Sequence, residues 1–159
     1  MKRIRILSLL AGLMILSGGC DESPTTAERE GRLNALLDGQ AWVGTASSDI
    51  LGDAIHISSR RKNVQREQTI SVRVEETAPG VYAVVPGAAG GSSYFETVGG
   101  DVVEYHADVT AGTIDIDHID RTTGEIRGTL SLTIQGTRGT SRLEQGQFTA
   151  VSWRRPNER

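Results

Sequence analysis

The chain has 159 residues, 37% of them hydrophobic, and sets 17 Lys and Arg against 20 Asp and Glu for a formal charge of −3. That length suits one domain with a real core, and the single cysteine excludes an intramolecular disulfide. Lys2, Arg3 and Arg5 are the only charges in the first 19 residues, so residues 20–159 carry 14 basic against 20 acidic side chains; such a body is unsuited to neutralising phosphate backbones, and no nucleic-acid partner is read.

Residues 2–5 are basic, residues 6–16 are apolar apart from Ser8 and Gly12, and residues 17–20 are small. This is the three-part layout of a secretory signal, and an apolar run of 11 residues is too short to cross about 30 Å of hydrocarbon as a permanent helix. The stretch LSGGC at 16–20 resembles the lipobox of bacterial lipoproteins, with Ser17 where Leu is usual and Leu16 one step earlier. The resemblance implies a signal peptide over 1–19, a diacylglycerol on the Cys20 thiol and an acylated new amine. Two or three acyl chains hold a protein stably on a bilayer, whereas one alone is marginal. Cys20 is therefore read as a lipid-attachment point and not as a nucleophile, because GGCDES offers no positioned base and no feature that lowers a thiol pKa. Asp21 resembles the inner-membrane retention residue of enteric lipoproteins, a rule that other phyla do not all follow, so inner versus outer membrane stays open.

Residues 20–31 pair the cysteine with a polar tether, DESPTTAEREG, that has no large apolar side chain. A short helix through TAEREGRLNALL is conceivable, with Thr26 as its cap, but the alternation of Leu33, Ala35 and Leu37 favours a strand over 32–37. Asp38-Gly39 then forms a two-residue hairpin turn. Further strands are predicted at 40–46, 53–59, 67–76, 81–86, 93–98, 101–110, 112–120, 125–135 and 141–153. They are punctuated by TAPG, PGAAGGSS, VGGD, TAG, RTTGE and QGTRGT, in a chain with 19 glycines. No window beyond the signal keeps a 3.6-residue apolar repeat.

Three strands have legible faces. Ile70, Val72 and Val74 oppose Ser71, Arg73 and Glu75. Val103, Tyr105, Ala107 and Val109 oppose Glu104, His106 and Asp108. Ile126, Gly128, Leu130, Leu132 and Ile134 oppose Arg127, Thr129, Ser131 and Thr133. One dry and one wet face per strand, joined by short reversals, predicts an all-β domain over 32–154, with a polar tail at 155–159. It is an antiparallel β-sandwich or a flattened meandering barrel of about eight to ten strands, the sandwich being preferred. Trp42 and Phe148, near the two ends of the domain, are expected to plug the core where first and last strands meet.

LNALLDGQAW, PGVY, GTIDIDHID with GEIRGTLSLTI, and EQGQFTAVSW together resemble a family of small uncharacterised bacterial lipoproteins common in Bacteroidetes and related groups, in which a lipidated cysteine precedes one all-β domain. Asp38, Gly39 and Trp42 fit its first element, and Gly80 and Tyr82 fit its Gly-x-Tyr. Gly128 and Thr129 fit its third, with Leu130 and Leu132 in place of the usual aromatics, and Gly146 and Phe148 fit its last. The resemblance spans roughly 32–153 and implies the fold and the envelope location, with no established chemistry to inherit.

No catalytic set stands out. The serines lie in no G-x-S-x-G elbow, and GAAGG at 87–91 lacks the Lys-Ser/Thr of a phosphate loop. His56, His106 and His118 have no zinc-motif spacing. DIDHIDRTTGE supplies weak calcium candidates in Asp115, Asp117 and Asp120, although acids on a solvent face leading into a turn are the plainer reading. The sequence thus points to a membrane-anchored envelope lipoprotein that is not an enzyme and needs no cofactor. Its expected partners are the lipid bilayer through acylated Cys20 and an envelope protein, a glycan or a small apolar ligand. A lipocalin-like carrier is the main alternative, ahead of a calcium-binding or hydrolytic protein.

Overall fold

The structure, a computed structural model, describes residues 30–99 and 102–152. The expected signal peptide, Cys20, the tether up to residue 29, Trp153 and the polar tail lie outside the described residues. Nine strands follow one another: β1 (Gly31–Leu37), β2 (Gln40–Leu51), β3 (Ala54–Lys62), β4 (Arg66–Val74), β5 (Gly80–Ala83), β6 (Ser93–Val98), β7 (Val102–Asp120), β8 (Glu125–Gly136) and β9 (Gly139–Ser152). The strand expected at 32–37 is present, not the helix, and Asp38 and Gly39 take φ values of 50° and 75° in its two-residue turn. Positive φ at both central positions is what a tight hairpin between right-twisted strands demands.

Eight strands pair into a ring in the order β1, β2, β3, β4, β6, β7, β8, β9, and β9 pairs back onto β1. The all-β antiparallel class and the strand number match the sequence reading, and of its two architectures the structure is the closed one. The β7–β8 and β1–β9 ladders leave no pair of open sheets to stack as a sandwich. Closure removes edges that an open sheet must otherwise protect.

β5 is the ninth strand, and it continues β6. Both run antiparallel to β7, β5 beside residues 113–116 and β6 beside residues 102–108. Between them the chain leaves the wall through a 3-10 turn at Gly87–Ala89. Below that excursion the wall is sewn shut by Val85 N–H donating to Arg73 O (2.8 Å) and Ser92 N–H donating to Val85 O (2.8 Å).

The interior is packed with Leu33, Trp42, Ile55, Ile57, Ile70, Val72, Val74, Ile114, Ile116, Ile126, Leu130, Leu132, Leu143 and Phe148, all buried. Trp42 and Phe148 plug it as expected. The wet faces of β4 and β8 point outward, and the outer wall of β7 carries Glu104, His106, Asp115 and Asp117. Dry inside and polar outside is the reverse of a membrane-spanning barrel.

Two expectations about β7 are corrected. Thr110-Ala111-Gly112 is not a turn: residues 102–110 and 112–120, which the sequence divides between two strands, belong to one 19-residue strand with a bulge between Val109 and Ala111. The extra residue explains why the buried positions change from odd (Ala107, Val109) to even (Ile114, Ile116). A second irregularity, where Thr97 pairs with Val103 but Glu96 with Tyr105, turns Val103 outward.

Candidate functional site: the polar mouth of the barrel

The barrel has two different ends. One holds the start of β1 and the finish of β9; the other is ringed by the β1–β2, β3–β4, β6–β7 and β8–β9 connections. Toward the second end the inward-facing positions stop being apolar. The residue two before Ile70 on β4 is Gln68, and the residue two after Ser59 on β3 is Arg61. Glu96 follows Tyr94 on β6, and Tyr105 precedes Ala107 on β7. Side chains two apart on a strand share a face, so the repeat that builds the core also aims these polar groups into the lumen. They surround a cavity of about 250 Å3, to which Asp38 and Arg138 contribute from the turns.

Its floor is aromatic, formed by Tyr94 and Tyr105, with the fully buried Trp42 packed behind them. Trp42 and Tyr94 meet edge to face at 6.3 Å, as do Tyr94 and Tyr105 at 6.0 Å, and Trp42 Nε1 donates to Ser59 Oγ (3.2 Å). Two guanidiniums lie on these rings: Arg61 is 4.4 Å from the Trp42 ring centroid and Arg138 is 4.0 Å from that of Tyr105. Arginine stacks well on rings because its planar cation is weakly hydrated.

Glu96, only 6% exposed, is the centre of the network. Its Oε1 accepts from the Tyr94 hydroxyl (2.7 Å) and from Gln68 Nε2 (2.9 Å). Its Oε2 accepts from Arg138 Nη1 (2.8 Å) and, more loosely, from Arg66 Nη1 (3.4 Å). Burial by itself raises the Glu96 pKa, but the hydrogen bonds from Tyr94, Arg138 and Gln68 outweigh it and hold the carboxyl at about 2. Burial, followed by the hydrogen bond to that carboxylate, pushes the Tyr94 phenol well above its usual range. Glu96 is therefore a fixed anion and Tyr94 a fixed neutral donor at any physiological pH. Neither is poised for proton transfer, which needs a pKa near the working pH.

Gln68 joins this anion to Arg61. Its carbonyl accepts from Arg61 Nε (2.9 Å), while its amide donates to Glu96 and to the Tyr94 oxygen (2.8 Å). Arg61 is further held by Nη1 donating to Ala41 O (3.0 Å).

The residues singled out from sequence lie elsewhere. Asp115 and Asp117 are exposed on the outer wall of β7, Asp115 in an open recess of about 430 Å3 with Thr129 and Gln147. Asp120 caps its own turn: its carboxylate accepts from the Thr122 amide (2.8 Å), and the Thr123 side chain with these amides holds its pKa below the usual value. Among the described residues no group of three or more His, Cys, Asp or Glu side chains is placed to hold a metal ion. His56 and His106 project from the outer walls of β3 and β7. Sequence reasoning missed Arg61, Gln68, Glu96 and Arg138, although the first three carried a signal: a charge or amide at the inward parity of an otherwise apolar strand.

A family model described as a domain of unknown function, DUF6252, matches residues 29–152. The chain belongs to this uncharacterised domain family. The DUF6252 match spans every described strand, and so the mouth as well as the core. Neither a curated protein nor a solved structure matches the chain. The Gly-x-Tyr of this DUF6252 chain has a structural basis, because the Tyr82 hydroxyl donates back to Ala78 O (3.0 Å) and its ring lies where a side chain at Gly80 would project.

Proposed function

We propose that this protein is a non-catalytic binding module of the bacterial cell envelope, tethered to a bilayer through acylated Cys20, and that the barrel mouth holds a small polar ligand. The observation that carries the binding half is the lumenal ring of Arg61, Gln68, Glu96, Tyr105 and Arg138 around a cavity of about 250 Å3 above a filled apolar core. Pockets that orient ligands combine apolar walls with a few convergent polar groups. The mouth does so with an aromatic floor and two arginines.

An apolar carrier in the lipocalin manner needs an empty lumen. Here Trp42, Phe148, Leu130, Leu132 and Leu143 occupy it, so the reading favours a polar guest. The anchored half rests on the basic, apolar and small-residue layout that ends at Cys20.

Native mass spectrometry of the full-length protein extracted from its own host's membranes tests both halves. The expected result is an acylated N-terminal Cys20 with residues 1–19 removed and a small polar molecule retained on the intact protein. An uncleaved leader without acyl mass overturns the anchor, and a bare chain under non-denaturing extraction counts against the mouth as a binding site.

A further inference from the structure

The hydrogen-bonding capacity left over at the centre of the mouth is one-sided, while the rim residues Asp38, Gln40 and Ser141 offer acceptors as well. Every acceptor at its centre is engaged: both oxygens of Glu96 take two donors each, the Gln68 carbonyl takes Arg61, and the Tyr94 oxygen takes Gln68. Gln68 has also spent both amide hydrogens, on Glu96 and Tyr94. Donors remain. A guanidinium carries five N–H groups, of which Arg61 commits three, to Gln68 and Ala41, and Arg138 commits one to Glu96. The Tyr105 hydroxyl has no hydrogen-bond partner among the described residues.

Charge tells the same story. Arg138 and Arg66 are paired with Glu96, and Arg66 also with Glu104. Among the described residues Arg61 faces no carboxylate within ion-pair distance; its neighbours are an amide, a backbone carbonyl and the Trp42 ring. A partly buried cation without a counter-charge is costly unless something supplies one. Asp38 lies at the exposed rim, where its carboxylate accepts from the Arg142 amide (2.8 Å), and Glu96 is already neutralised.

We infer that the mouth binds a small organic anion, its carboxylate or phosphate group held by the unused N–H groups of Arg61 and Arg138 and its body lying against Tyr94 and Tyr105, which line the cavity. This rests on the binding reading above and deepens it. The cavity's 250 Å3 limits the guest to about the volume of eight waters, the scale of a single ring or short chain bearing one acidic group. Guanidinium donors suit both oxyanions because the fork meets two oxygens at once.

The test titrates the full chain, in detergent, with benzoate, inorganic phosphate and neutral benzamide, following the Arg61 and Arg138 Nε–H resonances. Benzoate or phosphate is expected to bind with shifts at both arginines, and benzamide to bind at least about tenfold more weakly. Arg61→Gln is expected to weaken the anion about ten- to a hundredfold. Arg138→Gln, on an exposed turn and so at less risk of misfolding, is expected to weaken it by a smaller factor. Preference for benzoate over phosphate assigns the oxyanion to a carboxylate, and the reverse assigns it to a phosphate. Equal binding of benzamide and benzoate, or anion affinity unchanged in both variants, overturns the inference and leaves the mouth a binding site for neutral guests. Failure of all three probes to bind overturns the inference, and if the host-purified protein is also bare the binding reading falls with it.

Discussion

Replacing Glu96 by Gln isolates the charge at the centre of the mouth. Gln keeps the shape of the side chain and mimics its protonated form, so the variant approximates the wild-type protein with that one carboxyl neutral. The folded-state pKa is depressed from 4.5 to about 2, and each unit is worth about 1.4 kcal/mol of preference for the charged form. The carboxylate thus contributes up to about 3 kcal/mol. The side chains of Arg66 and Arg138 are 48% and 51% exposed and can rehydrate when released, which lowers the expected loss to about 2–3 kcal/mol at pH 7. For a domain of this size that corresponds to a melting point lower by about 10 °C. Because the folded pKa is depressed, this stability is fully present above the unfolded value near 4.5 and disappears as the pH falls toward 2. Urea unfolding of both proteins at several pH values between 7 and 2.5 therefore shows a gap that is wide at pH 7 and shrinks to about a quarter of that width at the acid end. A gap below about 1 kcal/mol at pH 7, or one that stays constant as the pH falls, refutes the argument that hydrogen-bonded charge at Glu96 stabilises the fold.

Tyr94→Phe removes a donor to Glu96 and an acceptor for Gln68. It is expected to cost about 1–2 kcal/mol and to raise the Glu96 pKa, which carboxyl carbon NMR titration reads directly. Trp42→Ala empties the largest fully buried side chain and is expected to cost about 3–5 kcal/mol in thermal unfolding. Gly128→Ala drives a methyl into the Asp115 carbonyl of β7; because that obstacle is backbone, a loss above about 2 kcal/mol is expected in chemical denaturation. Cys20→Ser is expected to move the protein from the detergent to the aqueous phase in a partition assay while leaving the melting point of the barrel unchanged.

The strands were legible wherever side-chain parity stayed regular. Ile70, Val72 and Val74, or Ile126 through Ile134, repeat every second residue without interruption, and both series are buried in the structure. Parity fails at bulges, which no local composition marks. The phase change between Val109 and Ile114 looks like a turn because TAG sits within it, and Val103 reads as core because the extra residue at Glu104 is invisible without its β6 partner. Closure was equally hidden. Barrel and sandwich differ in whether β7 reaches β8 while still holding β6, and that depends on a 19-residue strand that the apparent turn cut in two. The mouth was missed for another reason: attention went to acids clustered in sequence, whereas Arg61, Gln68, Glu96 and Arg138 are gathered only by the curvature of the wall.

The two ends of the barrel give the anchor and the mouth separate places. β1 begins at the end that also holds the finish of β9, and the parallel pairing of Ser47 with Val151 and Ser48 with Ser152 closes the wall behind its first residue. The mouth is at the opposite end, one strand length away. β2 has 12 residues, or about 40 Å of extended chain, which a tilt of about 40° reduces to roughly 30 Å of barrel height. If Cys20 carries the lipid as proposed, the mouth opens away from the bilayer. If residues 20–30 are the tether the sequence suggests, they add up to roughly 35 Å when extended. With the barrel upright on that tether, a guest reaches the mouth from the aqueous side. Fluorescence quenching makes the orientation testable. With a dye attached at Gln40 near the mouth and another attached at Asp53 in the β2–β3 turn of the opposite end, nitroxide lipids in a reconstituted bilayer should quench the second much more than the first. Equal quenching at both positions, or stronger quenching at Gln40, would show that the mouth faces the membrane and that the guest is to be sought among lipids.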